Sequence, residues 1–132
     1  MRNHEIDFRI FGEEMQYVEI ELDPGETAIA ESGSFLMMED GITMATIFGD
    51  GTQQDGGFMG KLFSAGKRLL TGESLFMTAY TNQGGGKARV SFASPYAGKI
   101  IPLDLSELDG KVVAQKDAFL CAAMGVSVGI EL

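Results

Sequence analysis

The chain has 132 residues, of which 45% are apolar and 22% are charged, and this is enough for one domain with a hydrophobic core. Its 19 acidic and 10 basic residues give a net charge of −9, which argues against binding to a nucleic-acid backbone because that binding requires clustered Lys and Arg. No apolar run of about 18 residues is present, so no membrane-spanning helix is predicted.

The cysteine content and the first residues bear on location. The single cysteine, Cys121, permits no disulfide within the chain and is typical of a reducing compartment. Residues 1–5 lack the apolar run of a secretory signal. We therefore expect a cytoplasmic protein.

Alternation of apolar and polar residues predicts a series of short β-strands. Between them, 18 glycines and turn sequences such as 23–26, Asp-Pro-Gly-Glu, provide frequent reversals of the chain. The pattern predicts an all-β, antiparallel sandwich or barrel, with no parallel sheet. The predicted strands cover 6–10, 18–22, 27–30, 34–38, 42–48, 74–80, 87–93, 100–105, 112–115, 118–122 and 126–132.

One segment, 58–70, has apolar residues at helical spacing and is predicted as a short helix. Gly60 and Gly66 each weaken that helix by about 1 kcal/mol relative to alanine. Its apolar face either covers the open end of a barrel or, with its basic residues, binds an anionic membrane surface or a protein partner. The residues that would make such a contact are Phe58, Lys61, Leu62, Lys67 and Arg68.

The sequence contains an internal repeat. Residues 30–44 are echoed by residues 114–128, at an offset of 84 positions (114 − 30). A second copy of similar length would extend past Leu132, so we expect a single β domain over 1–132 with an incomplete second repeat. An incomplete repeat would leave a strand edge that another subunit could pair with. The matching pairs are Ala30/Ala114, Phe35/Phe119, Leu36/Leu120 and Gly41/Gly125.

Residue types that perform catalysis or bind metals are sparse. His4 is the only histidine, so neither a histidine cluster nor a Ser-His-Asp triad is predicted. Cys121 lies between two apolar residues, which indicates an inert core thiol. The glycine-rich stretch 56–61 is one residue short of a phosphate-binding loop and lacks the following Ser or Thr. We predict no catalytic residue, no metal site and no cofactor, and thus no enzyme.

Four strings of residues stand out, namely Phe8-x-Ile10-x-Gly12, Leu22-x-Pro24-Gly25-Glu26, Ala30-Glu31-x-Gly33-Ser34 and Gly72-Glu73-Ser74-Leu75-Phe76. Together they resemble a known family, the altered-inheritance-of-mitochondria family of uncharacterised β proteins. The resemblance implies a fold similar to the trp RNA-binding attenuation protein, a sandwich of double-stranded β-helix type that forms rings and binds tryptophan and RNA. Similarity of fold does not transfer function, and the acidic charge of this chain disfavours RNA.

Three functions remain open at this point. The first is a non-enzymatic scaffold or interaction protein that forms a homo-oligomer. The second is peripheral membrane association through 58–70. The third is a barrel that binds a small apolar ligand, in a soft pocket lined by Met15, Phe35, Met37, Met38, Met44 and Met77.

Overall fold

The computed structural model describes residues 5–48 and 76–128. Within these two ranges the chain forms eight β-strands and three short 3-10 helices, which confirms the predicted all-β fold. The predicted helix at 58–70 lies outside the described residues. The strands are β1 (Asp7–Phe11), β2 (Tyr17–Leu22), β3 (Thr27–Ala30), β4 (Phe35–Met38), β5 (Ile42–Phe48), β6 (Phe76–Asn82), β7 (Ala88–Ala93) and β8 (Cys121–Ala123).

The strands form two antiparallel sheets of four strands each. Sheet I has the order β1-β2-β7-β4, and sheet II has the order β5-β6-β3-β8. Among the described strands, β4 and β8 therefore each lie at an edge, one in each sheet. The similarity to the trp RNA-binding attenuation protein stays a prediction.

The core lies between the sheets because apolar residues alternate with polar ones along the central strands. In β2, Val18, Ile20 and Leu22 are buried, and the register places them opposite Phe92, Val90 and Ala88 of β7. The intervening Glu19 and Glu21 point to the other face, as a period of two requires. All four residues of β3 are buried, so both faces of sheet II are covered at this strand.

Aromatic rings join the two sheets. The ring of Tyr80 in β6 stacks on Phe35 at 5.5 Å between centroids. It also meets the ring of Phe92 edge-on at 5.0 Å. The Tyr80 side chain is fully buried, and it thereby packs β6 of sheet II against β4 and β7 of sheet I.

A buried asparagine closes the connection between β6 and β7. Asn82 is only 1% exposed, yet its side chain is fully hydrogen-bonded. Its Nδ2 donates to the carbonyl oxygens of Leu22 at 2.8 Å and Gly86 at 2.7 Å. Its Oδ1 accepts from the backbone N–H of Gly84 at 2.9 Å. One amide thus ties the end of β2 to the loop that follows β6.

Two predicted strands, 100–105 and 112–115, are wrong, and the described part of 126–132 forms no strand either. The predicted strand 118–122 is confirmed only in its last two residues, because a 3-10 helix ends at Ala118 and β8 covers Cys121–Ala123. Alternation of apolar residues indicates a strand only where a neighbouring strand can satisfy its backbone, and no described strand lies in ladder with 100–105 or 112–115. The extended run from 100 also ends in a turn, where Asp104 Oδ1 accepts from the backbone N–H of Ser106 at 3.0 Å.

Candidate interaction surface

The residues predicted to contact a membrane or partner all lie in a part of the chain that the structure does not describe. These residues are Phe58, Lys61, Leu62, Lys67 and Arg68. Membrane association through 58–70 therefore stays a prediction. In the ranges 5–48 and 76–128, no helix is long and apolar enough to cross a bilayer.

The six residues predicted to line a ligand pocket are not brought together. Met77 is buried on the face of β6 opposite to Tyr80, whereas Phe35 stacks on Tyr80 between the sheets. Met15, Met37, Met38 and Met44 are all exposed. The four exposed methionines lie in edge strands or a turn, where the second sheet does not cover them, and they do not form one pocket. Only Met37 and Met38 share a depression, which is open to solvent and is otherwise lined by polar residues such as Glu19 and Arg89.

The edge of sheet I at β4 presents an apolar surface. Leu36, Met37 and Met38 are between 38% and 54% exposed, and among the described strands β4 is in ladder with β7 alone. The opposite edge of the same sheet, β1, carries Asp7 and Arg9, and charges of this kind prevent unwanted edge pairing. Strand β4 itself carries neither charge nor proline, although Glu39 and Asp40 follow it directly and a bulge between Phe35 and Met37 interrupts its register with β7. Of the two edges of sheet I, the β4 edge is therefore the one suited to association with another chain.

A second apolar surface lies on the segment 101–113. The chain entering this segment is anchored to the turn between β1 and β2, since the N–H of Ile100 donates to Gln16 Oε1 at 2.6 Å. Beyond that anchor the apolar side chains are turned outward, and Ile101 is 74% and Val113 66% exposed. The exposed apolar residues of the segment are Ile101, Leu103, Leu108, Val112 and Val113.

The outer face of sheet I is charged and largely self-paired. Arg89 Nε lies 3.7 Å from Glu19 Oε1 and 3.5 Å from Glu21 Oε2, across the β2–β7 ladder. Lys87 Nζ lies 3.4 Å from Glu21 Oε1, and the hydrogen bond with Glu21 raises the pKa of the exposed lysine. Exposed pairs of this kind contribute little to stability. They leave this face solvated, in contrast to the β4 edge.

Burial keeps the Cys121 thiol protonated and therefore a poor nucleophile. Burial raises the pKa of its thiol to about 12. Because the folded pKa exceeds the unfolded value of 9.0, this group stabilises the fold below pH 9, and that contribution is lost as the pH rises towards about 12. In addition, no group of three His, Cys, Asp or Glu residues in the described ranges is placed to hold a metal ion.

We expect native Cys121 to react slowly with a disulfide reagent such as dithiobis(nitrobenzoate) at pH 8. The raised pKa makes its thiolate population about a thousandfold smaller than that of an ordinary thiol. The measurement compares the rate for the native protein with the rate in denaturant, where the reaction should be fast. A native rate equal to the denatured rate would contradict the burial of this sulfur.

The fold and the surface define the class of this protein, which is all-β, with two antiparallel sheets and apolar edge surfaces. The chain belongs to a family whose model, described as mitochondrial biogenesis AIM24, matches residues 8–132. This match confirms the resemblance drawn from the sequence.

Two relatives from Streptococcus pyogenes are similar to this chain. An uncharacterised protein of serotype M6 is 32% identical over 91 residues, which are 68% of this chain and 34% of that protein. The crystal structure of another S. pyogenes protein matches with a TM-score of 0.57 and 21% identity, over 90% of this chain and 50% of the other. The second likeness shows the fold alone. The chain thus spans half or less of the length of these relatives.

Proposed function

We propose that this protein is a non-enzymatic scaffold or interaction protein that acts as a homo-oligomer in the cytoplasm. The observation that carries the proposal is the pair of apolar surfaces, the β4 edge and the segment 101–113. An exposed apolar strand edge is a template for pairing with another chain, and exposed apolar side chains gain free energy when such pairing buries them. The single cysteine supports the reducing location.

The titratable groups support a non-enzymatic role, because shifted pKa values in an active site usually reflect groups arranged for chemistry. Among the described residues each resolved shift has a local structural cause. Burial raises the pKa of Cys121 and of Tyr80, and the hydrogen bond with Glu21 raises that of Lys87. Hydrogen bonds from Ser106 within a turn lower the pKa of the Asp104 carboxyl.

Light scattering across a dilution series tests this function. We expect a mass that is a multiple of 14.2 kDa and that falls only at high dilution. Met38→Lys should shift the mass towards the monomer, because a charged side chain at the β4 edge opposes strand pairing. Tyr96→Lys is the matched control, since Tyr96 is 71% exposed and lies outside both apolar surfaces. A wild-type mass of 14.2 kDa at every concentration would contradict the proposed function.

A further inference from the structure

The two copies of the sequence repeat have the same order of local structure. The first copy has a 3-10 helix at Ser32–Ser34, and the second has one at Lys116–Ala118, 84 positions later. Strand β4 follows the first helix, and β8 follows the second. Gly41 and Gly125, also 84 positions apart, both have positive φ, at 95° and 107°. Strand β8 is therefore the structural counterpart of β4.

Strand β8 has a partner that shows what its counterpart should bind. It is in antiparallel ladder with β3, and the register pairs Ala28 with Ala123, Ile29 with Ala122 and Ala30 with Cys121. A strand of the first copy thus pairs with a strand of the second. If a two-fold rotation interchanges the two sequence repeats, an equivalent ladder joins β4 to the counterpart of β3, which is the segment 112–114.

The same register fixes the expected partners on β4. Moving each β3 residue forward by 84 positions and each β8 residue back by the same number gives three pairs. These pairs are Val112 with Glu39, Val113 with Met38, and Ala114 with Met37. The register also places Lys111 opposite Asp40, so that one pair of opposite charges flanks the apolar pair.

The backbone of β4 presents the correct edge for this ladder. The N–H of Glu39 donates to the carbonyl oxygen of Arg89 at 2.9 Å, so the backbone N–H and C=O of Glu39 point towards β7. Because the backbone polar groups of successive residues in a strand point to alternate edges, the N–H and C=O of Met38 point away from β7. On β8 the N–H of Met124 donates to Thr27 at 3.0 Å, so Ala122, the counterpart of Met38, faces β3. The edge that β3 occupies on β8 is thus the edge that is open on β4 among the described strands.

The side chains of Met38 and Val113 are also suited to this ladder. Met38 lies opposite Val90, a fully buried residue, so its side of β4 continues the core face of sheet I. Val113 placed opposite Met38 would extend that face by one more apolar side chain. Val113 and Met38 are both exposed in the single chain, at 66% and 38%, and the contact would cover them.

We propose that residues 112–114 of a second copy of this chain occupy the β4 edge as an added antiparallel strand. A second copy of the chain is the occupant because, in the single chain, 112–114 forms no strand and none of the described strands occupies the free side of β4. The exchange is reciprocal, so each copy gives one segment and receives one. This inference rests on the proposed oligomeric function and names its contact.

Disulfide trapping between two separately purified variants tests the contact. In a Cys121→Ala background, Met38→Cys in isotopically heavy protein is mixed with Val113→Cys in light protein and oxidised. Residues opposite each other in a hydrogen-bonded antiparallel pair have Cα atoms about 5.5 Å apart, within the range that a disulfide bridges. We expect a heavy–light disulfide-linked dimer as the main product by mass spectrometry.

The matched control moves one cysteine by a single position. Met37→Cys mixed with Val113→Cys places the two sulfurs on opposite faces of the ladder, and the yield of mixed dimer should fall at least severalfold. Two results would overturn the contact while leaving oligomerisation intact. One is equal yields for Met37→Cys and Met38→Cys, and the other is an excess of heavy–heavy dimers through Met38→Cys, which would indicate that β4 pairs with itself. A monomeric wild-type protein in light scattering would overturn the proposed function together with the contact.

Discussion

Replacing Asn82 by alanine is expected to lower the free energy of unfolding by about 3 to 5 kcal/mol. The change removes the partner of three backbone groups in or beside the core, the carbonyl oxygens of Leu22 and Gly86 and the N–H of Gly84. Each buried polar group left without a partner costs about 1 to 3 kcal/mol. Urea denaturation followed by circular dichroism measures the loss.

The neighbouring residue provides the control for that prediction. Gln83 is exposed, and only its backbone N–H is bonded, to the carbonyl oxygen of Gly41 at 2.8 Å. Gln83→Ala should therefore change the stability by less than about 0.5 kcal/mol. If Asn82→Ala were as mild as Gln83→Ala, the amide would not be what holds β2 to the β6–β7 loop.

The second large effect is expected at Tyr80, where ring and hydroxyl should act in opposite directions. Tyr80→Ala removes the ring that packs between Phe35 and Phe92, and it should cost about 3 to 5 kcal/mol. Tyr80→Phe keeps the ring and removes a buried hydroxyl that has no partner of hydrogen-bonding geometry among the described residues. Since an unsatisfied buried hydroxyl is unfavourable, the phenylalanine variant should be as stable as wild type or about 1 kcal/mol more stable.

The pH dependence of the Tyr80→Phe effect adds a separate check. Burial raises the pKa of Tyr80 above the ordinary value of 10.0, and the side chain of Thr78 partly offsets that rise. The folded protein therefore keeps Tyr80 protonated at a pH where the unfolded chain ionises it, so this group leaves stability unchanged below pH 10 and lowers it as the pH rises further. The comparison uses a Cys121→Ala background, because the thiol titrates in the same alkaline range. Above pH 10, the Tyr80→Phe protein should lose less stability than the protein that keeps Tyr80. A destabilised Tyr80→Phe protein at neutral pH would show that the hydroxyl has a partner after all.

The strands of the core could be predicted from the sequence because their two faces differ chemically. In β2 the alternation of Val18 and Ile20 with Glu19 and Glu21 marks one buried and one charged face. The predicted bounds of the first seven strands lie within about two residues of those observed, since turn residues such as Gly25 mark where each strand ends.

The segments 100–105 and 112–115 show where this reasoning fails. Alternation reports that one face of a segment is apolar, but it does not report whether a neighbouring strand is available. In the described chain neither segment has one, so Ile101 and Val113 are exposed rather than buried. The error is informative, because residues patterned for burial have remained at the surface.

The methionines and Asn82 could not be placed from the sequence for a related reason. An apolar residue in a strand is buried only if another part of the fold covers its face, and nothing local distinguishes the buried Met77 from the exposed Met44. Asn82 suggests a turn by its position before three glycines. Its bond to Leu22, 60 positions away, depends on the assembled fold.

The central claim is that the protein associates through its apolar edge surfaces, and the mass of the wild-type protein in solution tests it most directly. Light scattering across a dilution series should give a multiple of 14.2 kDa, with Met38→Lys reduced and Tyr96→Lys unchanged. A mass of 14.2 kDa at every concentration would contradict the claim and would show that both surfaces remain open to solvent.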